Sequence, residues 1–385
     1  MPLSKFGYRA ALTAASVVAT VAVARGVHSA WSYRAMKPLR APAPSVTAGD
    51  HVTVVVPARD EEAVLDACLD GLRRQRHRRL SIVVVDDGSS DATPRIAERH
   101  AAVDERVRVT QAGQLPPGWS GKVHAMYRGV QTAAEDGLGD WLLFMDADTR
   151  AQPDLVSRLL RTARDRELDL TSTPGGPPEE MSATWWWLMP AGAQLIAENA
   201  APGGRRRKAL AIGHCLLMRR SAYEKVGGWA TLADARPEDL AMASIIRVAG
   251  GTTALCSGTD EVSTSGVDPF PAGWASFRKS MVTGTRANVP LLAAGGIAHI
   301  VFGLVPPMAV LAGMRRGQRG LLVAGAIGWA GQSTGHLLGA RRMRAPAAAA
   351  TIAPFSWALV GGVLLDAARK ARTRTVSWKG RTITP

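Results

Sequence analysis

A doubly wound α/β domain with a mainly parallel sheet, preceded by an apolar helix and followed by transmembrane helices, is the fold class this sequence predicts. Three observations carry that reading. Short β-branched runs alternate with helical stripes between residues 51 and 145. Acidic clusters stand where those predicted strands end, the edge at which such sheets bind ligands. After Arg286 come three long stretches with no titratable side chain except His299 and His336. The 385 residues suffice for one large domain with additions, and 46% hydrophobic against 21% charged residues excludes a disordered or collagen-like chain.

The first element is the apolar run at residues 10–24, bounded by Arg9 and Arg25. At 1.5 Å per residue it reaches about 22 Å, short of a bilayer's hydrocarbon core. It therefore reads as a signal-anchor or interfacial helix, with a signal peptide as the rival. Residues 51–56 alternate and are β-branched, which predicts a strand. Val64, Leu65, Cys68, Leu69 and Leu72 form a helical stripe across 61–75. Residues 80–85 make a short apolar strand of the kind a parallel sheet buries on both faces. A helix at 94–102, a strand at 106–110, a helix at 122–135 and a strand at 141–145 follow, and such alternation implies right-handed crossovers.

Between Arg286 and Arg315 lie 28 residues, between Arg319 and Arg341 another 21, and between Arg344 and Asp366 a further 21. A helix of about 20 apolar residues crosses a bilayer, and the richness in Ala and Gly suits close packing in lipid; buried core helices are the alternative. The formal net charge of +15 gathers beside these runs, at Arg315, Arg316 and Arg319, at Arg341, Arg342 and Arg344, and beyond Asp366. Nothing like an aromatic RNA-binding platform accompanies it, so a membrane surface outranks nucleic acid as partner. Three crossings would put the basic tail outside, against the positive-inside tendency. Making 287–314 a re-entrant element, broken at Pro306-Pro307, would return the tail to the cytoplasm. The division expected is an anchor and linker at 1–50, a soluble domain at 51–285, membrane helices at 286–366 and a basic tail at 367–385. Three scattered cysteines without CxxC, and no HxxxH pair, argue against a disulfide scaffold or a zinc site and fit a reducing compartment.

The first predicted strand ends in Pro57-Ala58-Arg59-Asp60-Glu61-Glu62, with no GxGxxG, which disfavours a dinucleotide site. The second ends in Asp86-Asp87-Gly88-Ser89-Ser90-Asp91 and the fourth in Asp146-Ala147-Asp148. In an extended backbone Asp146 and Asp148 project to one side and can converge on one ligand. Such carboxylates suit Mg2+ or Mn2+ shared with diphosphate oxygens. Turn formation is the bland alternative for either cluster alone.

The ordered set VVVPARDEE, VVVDDGSSD, FMDAD and RPEDLAMA resembles the family 2 glycosyltransferases with a GT-A fold, over roughly residues 52–285. The resemblance implies a nucleotide-sugar donor, UDP-linked, and inversion at the anomeric carbon. It assigns Pro57, Ala58, Glu61, Asp86 and Asp87 to the donor's nucleoside end, and Asp146 and Asp148 to the DxD motif, the second holding the metal. Lys122, in the match to a GKxxAL-type segment, would lie near the donor or merely start a helix. Glu238-Asp239 matches the family's ED pair, with Asp239 as catalytic base; a helix N-terminus favours the same residues. The QxxRW motif of processive members is absent, which argues for a single transfer. Its rough place holds Arg278, a candidate for the leaving diphosphate or a juxtamembrane anchor.

Trp185-Trp186-Trp187 and Arg205-Arg206-Arg207-Lys208 lie between the DxD and ED motifs, a pairing that suits a membrane interface and a hydrophobic acceptor, with Trp186 and Glu238 as candidate contacts. The strings LPPGWSGK, RPEDLAMA and VSWKGR resemble a membrane subgroup containing 4,4'-diaponeurosporenoate and hopanoid-associated glycosyltransferases. That implies a glucose-type donor and a terpenoid lipid acceptor such as a carotenoid carboxylate, with Trp378 as a possible cap on the donor. It also implies a multi-pass protein of the cell membrane with its catalytic domain on the cytoplasmic side. Polyprenyl phosphate or another glycolipid precursor is the alternative acceptor. A sugar-phosphate nucleotidyltransferase and a catalytically degenerate membrane scaffold are alternatives of other classes.

Overall fold

The computed structural model describes residues 5–199, 210–373, 377–378 and 381–382. The chain forms two units: a sheet unit, Met36–Pro178 with Ala200–Gly266, and a helical unit, Met1–Ala35, Glu179–Asn199 and Val267–Pro385. The helical unit thus takes in 179–199 and 267–285, which lie inside the span 51–285 read from sequence as one domain.

Helix α1 (Lys5–Ala35) opens the chain. The sheet unit follows with a one-turn α2 (Pro44–Thr47), β1 (Val52–Ala58), α3 (Leu65–Arg73), β2 (Leu80–Asp86), α4 (Thr93–Ala101), β3 (Val107–Gln111), α5 (Gly121–Glu135) and β4 (Trp141–Met145). It continues through β5 (Thr149–Ala151), α6 (Leu155–Asp165) and β6 (Leu170–Ser172). Helices α7 (Ala183–Trp187) and α8 (Met189–Asn199) belong to the helical unit. The chain returns as β7 (Cys215–Arg219), α9 (Arg220–Lys225), α10 (Glu238–Val248), β8 (Thr253–Leu255) and β9 (Val262–Thr264). The rest is helical: α11 (Phe270–Gly284), α12 (Val289–Arg316), α13 (Arg319–Arg342) and α14 (Ala353–Arg372), then the two-residue strands β10 (Ser377–Trp378) and β11 (Arg381–Thr382).

The main sheet has the order β3-β2-β1-β4-β7-β6-β8, parallel except for β7, which runs against both β4 and β6. Strand β1 shows why it sits centrally. Val52, Val54 and Val56 face one apolar layer, with Leu65, Leu69, Leu72 and Leu159, while Val55 faces the other, with Val83, Val123, Met126 and Phe144. A strand buried on both faces must be apolar on both, which is the pattern read from sequence. Each such side chain contributes about 1.5–3 kcal/mol by leaving water. Helix α5 lies close on this sheet because a Cβ at Gly129 would overlap the Val55 and Val85 side chains. A second, two-stranded sheet pairs β5 with β9 antiparallel and holds the segment that follows Asp148.

Among the described residues, three segments of the helical unit are long and apolar enough to cross a membrane: Lys5–Ala35, Val289–Arg316 and Ala347–Arg372. The first is a correction. Helix α1 has 31 residues and reaches about 46 Å, so the apolar run at 10–24 is only its middle. Arg25 does not end it, because its charge is met inside the unit. Its guanidinium pairs with Glu198 at 2.7 Å and lies over the Trp357 ring at 4.1 Å. Ser29 and Gln194 also donate to the Glu198 carboxylate.

The second correction concerns Pro306-Pro307. Helix α12 runs through both prolines without a break. Pro306 has no N–H for the carbonyl of Phe302, four residues earlier; the side-chain amide of Gln332 on α13 donates to that carbonyl instead. The chain turns back elsewhere. Helices α12 and α13 form an antiparallel hairpin, with Gly313 against Leu322 and Gly325 against Pro306. Helix α1 runs parallel to α13, since Tyr8 meets Gly320 and Tyr33 meets Gly339. Gly303 packs against Pro354 and Ala358, and Gly296 against Gly361 and Leu365, so α14 runs against α12 and begins level with its middle. The indole of Trp329, midway along α13, donates to the carbonyl of Thr351. Residues 343–352 therefore fold back along the bundle, and α13 and α14 end on the same side.

Candidate active site

The carboxyl ends of β2, β1 and β4, with the start of the antiparallel β7, form one edge of the sheet. Ala58 at the end of β1 stands beside Asp86 at the end of β2. The two loops that follow are laced together. Ser89 Oγ accepts from the Asp60 N–H, the Ser90 N–H donates to Asp60 Oδ1, and Thr93 Oγ1 accepts from the Glu61 N–H. Asp60 has φ 50°, a left-handed conformation that a short polar side chain tolerates. Arg59 donates to the carbonyl of Asp87. Asp86 and Asp87 are buried, and Asp86 Oδ1 accepts from the Ser89 N–H at 3.1 Å. Asp86 therefore shapes its turn and lines the edge together; Pro57 and Glu61 stand half-buried beside it.

The DxD segment departs from the expected geometry. Strand β4 ends at Met145, and Asp146-Ala147-Asp148 is a turn rather than extended chain, so the two side chains do not share a face by alternation. The turn is fixed by Thr149, whose N–H donates to the Asp146 carbonyl at 3.2 Å, and by Ser265, whose N–H donates to the Asp148 carbonyl at 3.1 Å. The Asp146 carboxylate accepts from Lys122 Nζ at 2.6 Å. The Asp148 carboxylate packs against Gly266, where any Cβ would collide with it.

Lys122 is no solvated helix start. Ser120 caps α5, its hydroxyl accepting from the Val123 N–H. Lys122, in the first turn, then reaches Asp146 at 2.6 Å and Glu238, the first residue of α10, at 2.8 Å. Burial would pull its pKa down, but the carboxylates of Asp146 and Glu238 push it well above the usual lysine value. Asp239 follows Glu238 on α10. Burial and the Glu238 charge raise its carboxyl to about 7, against the opposing pull of Lys122 and the Leu240 N–H. A carboxylate so raised is a competent proton acceptor near neutral pH. Cys68, whose thiol lies 3.8 Å from the Asp146 carbonyl, is pushed up to about 12 by burial and stays protonated.

Among the described residues no three carboxylate, His or Cys side chains converge as a metal cage. An ammonium fills the space between Asp146 and the ED pair instead. Asp148 is half-buried with its Oδ1 enclosed, and one or two carboxylates completed by substrate phosphates is how Mg2+ is commonly held. The carboxylates at this edge thus fit a divalent ion that arrives with a diphosphate.

Two residues beside this constellation carry no sequence signal. Gly213 is the spacer at its centre: a Cβ there would lie 3.1 Å from Lys122 Nζ, 3.5 Å from Asp239 Oδ2 and 3.8 Å from Asp146 Oδ2. His214 follows, its carbonyl accepting from the Asp146 N–H and its Nδ1 from the Gly175 N–H. The remaining candidates belong to the helical unit. Trp185 is core, donating to Asp268, while Trp186 and Trp187 are partly exposed. Arg278 pairs with Asp366 at 2.8 Å, and Trp274 donates to the same carboxylate, so Arg278 anchors α11 to α14. Trp378 pairs with Arg381 in the terminal hairpin; its side chain lies outside the described residues, as do Arg205, Arg206, Arg207 and Lys208.

A mainly parallel doubly wound sheet with a DxD turn at its edge and a half-buried Glu-Asp pair bridged to it by Lys122 defines a GT-A glycosyltransferase. The chain belongs to the family 2 glycosyltransferases: the family model described as Glycosyl transferase family group 2 matches residues 141–359, and that described as Glycosyl transferase family 2 matches 53–227. It is 38% identical over 117 residues to an N-acetylglucosaminyltransferase of Rhizobium leguminosarum bv. viciae, covering 30% of this chain and 26% of that one. It is 33% identical over 110 residues to 4,4'-diaponeurosporenoate glycosyltransferase of Staphylococcus aureus, covering 28% and 27%. The chain spans between 16% and 37% of the length of these curated relatives. Among solved structures, the mannosyltransferase PcManGT of Pyrobaculum calidifontis, in complex with GDP-Man and Mn2+, aligns over 93% of this chain and 99% of its own. Its TM-score is 0.53 and its identity 19%, a likeness of fold.

Proposed function

We propose that this chain is a membrane-bound, inverting glycosyltransferase that moves one glucose-type sugar from a UDP-linked donor to a hydrophobic lipid acceptor, a terpenoid such as a carotenoid carboxylate. The observation that carries the reading is Asp239, raised toward neutrality and one residue from a glutamate bridged by Lys122 to the DxD turn. A base in that position takes the proton of an acceptor hydroxyl, or of a carboxylic acid kept neutral by its lipid surroundings, as the acceptor oxygen bonds to the anomeric carbon. The bond to the diphosphate breaks in the same displacement. Pro57, Ala58, Glu61, Asp86 and Asp87 receive the nucleoside end. Mg2+ or Mn2+ on Asp148 would neutralise the departing diphosphate. Lys122 supplies a second positive charge nearby.

The terpenoid reading rests on the partial likeness to the carotenoid enzyme and on the apolar helices. Helix directions support a cytoplasmic catalytic unit. The chain leaves the helical unit after Ala35 and re-enters it at Val267, before α12 begins. That end of the bundle also carries Arg34, Arg286, Arg341, Arg342, Arg369, Lys370 and Arg372, the side that positive charge marks as cytoplasmic.

The test uses membranes containing the chain, given UDP-glucose, Mg2+ or Mn2+ and a terpenoid-rich lipid extract. Released UDP and the mass of any new lipid are read, with Asp239→Asn membranes as the blank. A lipid heavier by one hexose, formed only with Asp239 intact, is the expected result. UDP-sugar binding without transfer to any lipid would overturn the acceptor class; neither binding nor UDP release with any nucleotide sugar would favour the scaffold.

A further inference from the structure

The order of strand ends along the sheet edge orders the donor. The nucleoside end is assigned above to β2 and β1 and the diphosphate to the turn after β4. The group that follows the diphosphate in a nucleotide sugar is the sugar itself, and the next strand is β7. Because β7 is antiparallel, its first residue, Cys215, pairs with Met145, the last of β4, and His214 immediately precedes it at this edge. Gly213 before it leaves open the space toward Lys122, Asp239 and Asp146.

His214 is held in one orientation. Its Nδ1 accepts from the Gly175 N–H at 3.0 Å, and a neutral ring accepting there carries its proton on Nε2. Gly175 is needed for this approach, since a Cβ would press on Thr264 and lie 3.3 Å from that nitrogen. The backbone of His214 is tied to the DxD turn by the Asp146 N–H. The ring is partly exposed, and among the described residues Nε2 has no hydrogen-bond partner. The end of the sheet edge that follows the DxD turn therefore carries an oriented, partly exposed N–H.

We infer that His214 is a sugar-selecting residue: its Nε2–H donates to a ring hydroxyl of the transferred sugar and so decides which hexose epimer the site takes. This rests on the donor reading proposed above. A site that hydrogen-bonds a substrate hydroxyl discriminates strongly against analogues lacking that hydroxyl or bearing it in the other orientation.

Calorimetric binding of UDP, UDP-glucose, UDP-galactose, UDP-N-acetylglucosamine and UDP-xylose to the full-length protein with Mn2+ and no acceptor provides the test. His214→Asn keeps an oxygen near Nδ1 for the Gly175 N–H and removes the outer donor; His214→Gln places an amide N–H near Nε2. In the Asn variant the preference between the best sugar and its epimers should fall at least about tenfold, with UDP affinity unchanged. The Gln variant should recover part of the preference. If the Asn variant keeps the parental ranking and spacing, or loses affinity for UDP and UDP-sugars alike, His214 does not select the sugar. If the parental protein binds no nucleotide sugar at all, it is the donor reading that fails.

Discussion

Replacing Gln332 by Leu removes the side-chain donor that reaches the Phe302 carbonyl, the group that Pro306 cannot serve. The two side chains have similar bulk, and Gln332 is buried, so the change mainly strips a hydrogen bond from a carbonyl that water does not reach. An unpaired buried acceptor costs about 1–3 kcal/mol. Pro306→Ala restores an N–H that closes the helical bond to Phe302, so in that background Gln332→Leu should cost little. Pro306→Ala has its own cost, because the ring packs on Gly328, but that cost cancels in the double-mutant cycle. Denaturation of the detergent-solubilised protein, followed by tryptophan fluorescence for parent, two single variants and the double, should give a coupling energy of about 1–3 kcal/mol. Single costs that add to within about 0.5 kcal/mol would refute the reasoning and leave Pro306 tolerated for some other cause.

The remaining predictions concern the sheet edge and the bundle. Transfer should fall about tenfold per pH unit below roughly pH 7 as Asp239 takes up a proton; a flat profile from pH 5 to 8 in single-turnover assays would remove it as base. Lys122 pulls the Asp239 pKa down, so Lys122→Met should shift that limb to higher pH and weaken donor binding; an unshifted limb would show that the charge does not reach Asp239. Gly266→Ala drives a methyl into the Asp148 carboxylate and should abolish the gain in donor affinity that Mn2+ provides, while an unchanged Mn2+ titration would dissociate Asp148 from the metal. Cysteines at Gln318 and Thr373 should be labelled by impermeant maleimide from opposite sides of sealed vesicles, against a background of three buried native thiols; labelling from one side would overturn the fold-back at 343–352.

The sheet unit was legible because its information is local. Runs such as 80–85 are apolar on both faces, and only a strand covered by helices uses such a run; predicted and observed strands there differ by one or two residues. The acidic ends of β1, β2 and β4 were legible as turn chemistry with charge. The Lys122 bridge was not, because it joins the start of α5 to the start of α10, more than a hundred residues on, and no spacing encodes that meeting. Gly213 and His214 lie after a stretch without periodicity, in the antiparallel excursion through β6 and β7 that simple strand–helix alternation does not announce. The prolines misled for a physical reason. Locally they break a helix, and what repairs it is an amide on the neighbouring α13, invisible to any window along α12.

The halfway start of α14 bears on the order in which the bundle can be assembled. Its neighbours along α12, Gly296 and Gly303, offer notches rather than side chains, and α14 seats its own backbone in them. Such a seat exists only once α12 and α13 already stand side by side, because the return at 343–352 follows α13 back to Trp329 before α14 begins. Helix α14, synthesised after α12 and α13, is thus a keystone. A chain stopped after Arg344 would expose to lipid the notch that α14 fills and would uncover the Arg25–Glu198 ion pair that Trp357 shields, leaving quality control in the membrane a polar pair to meet there.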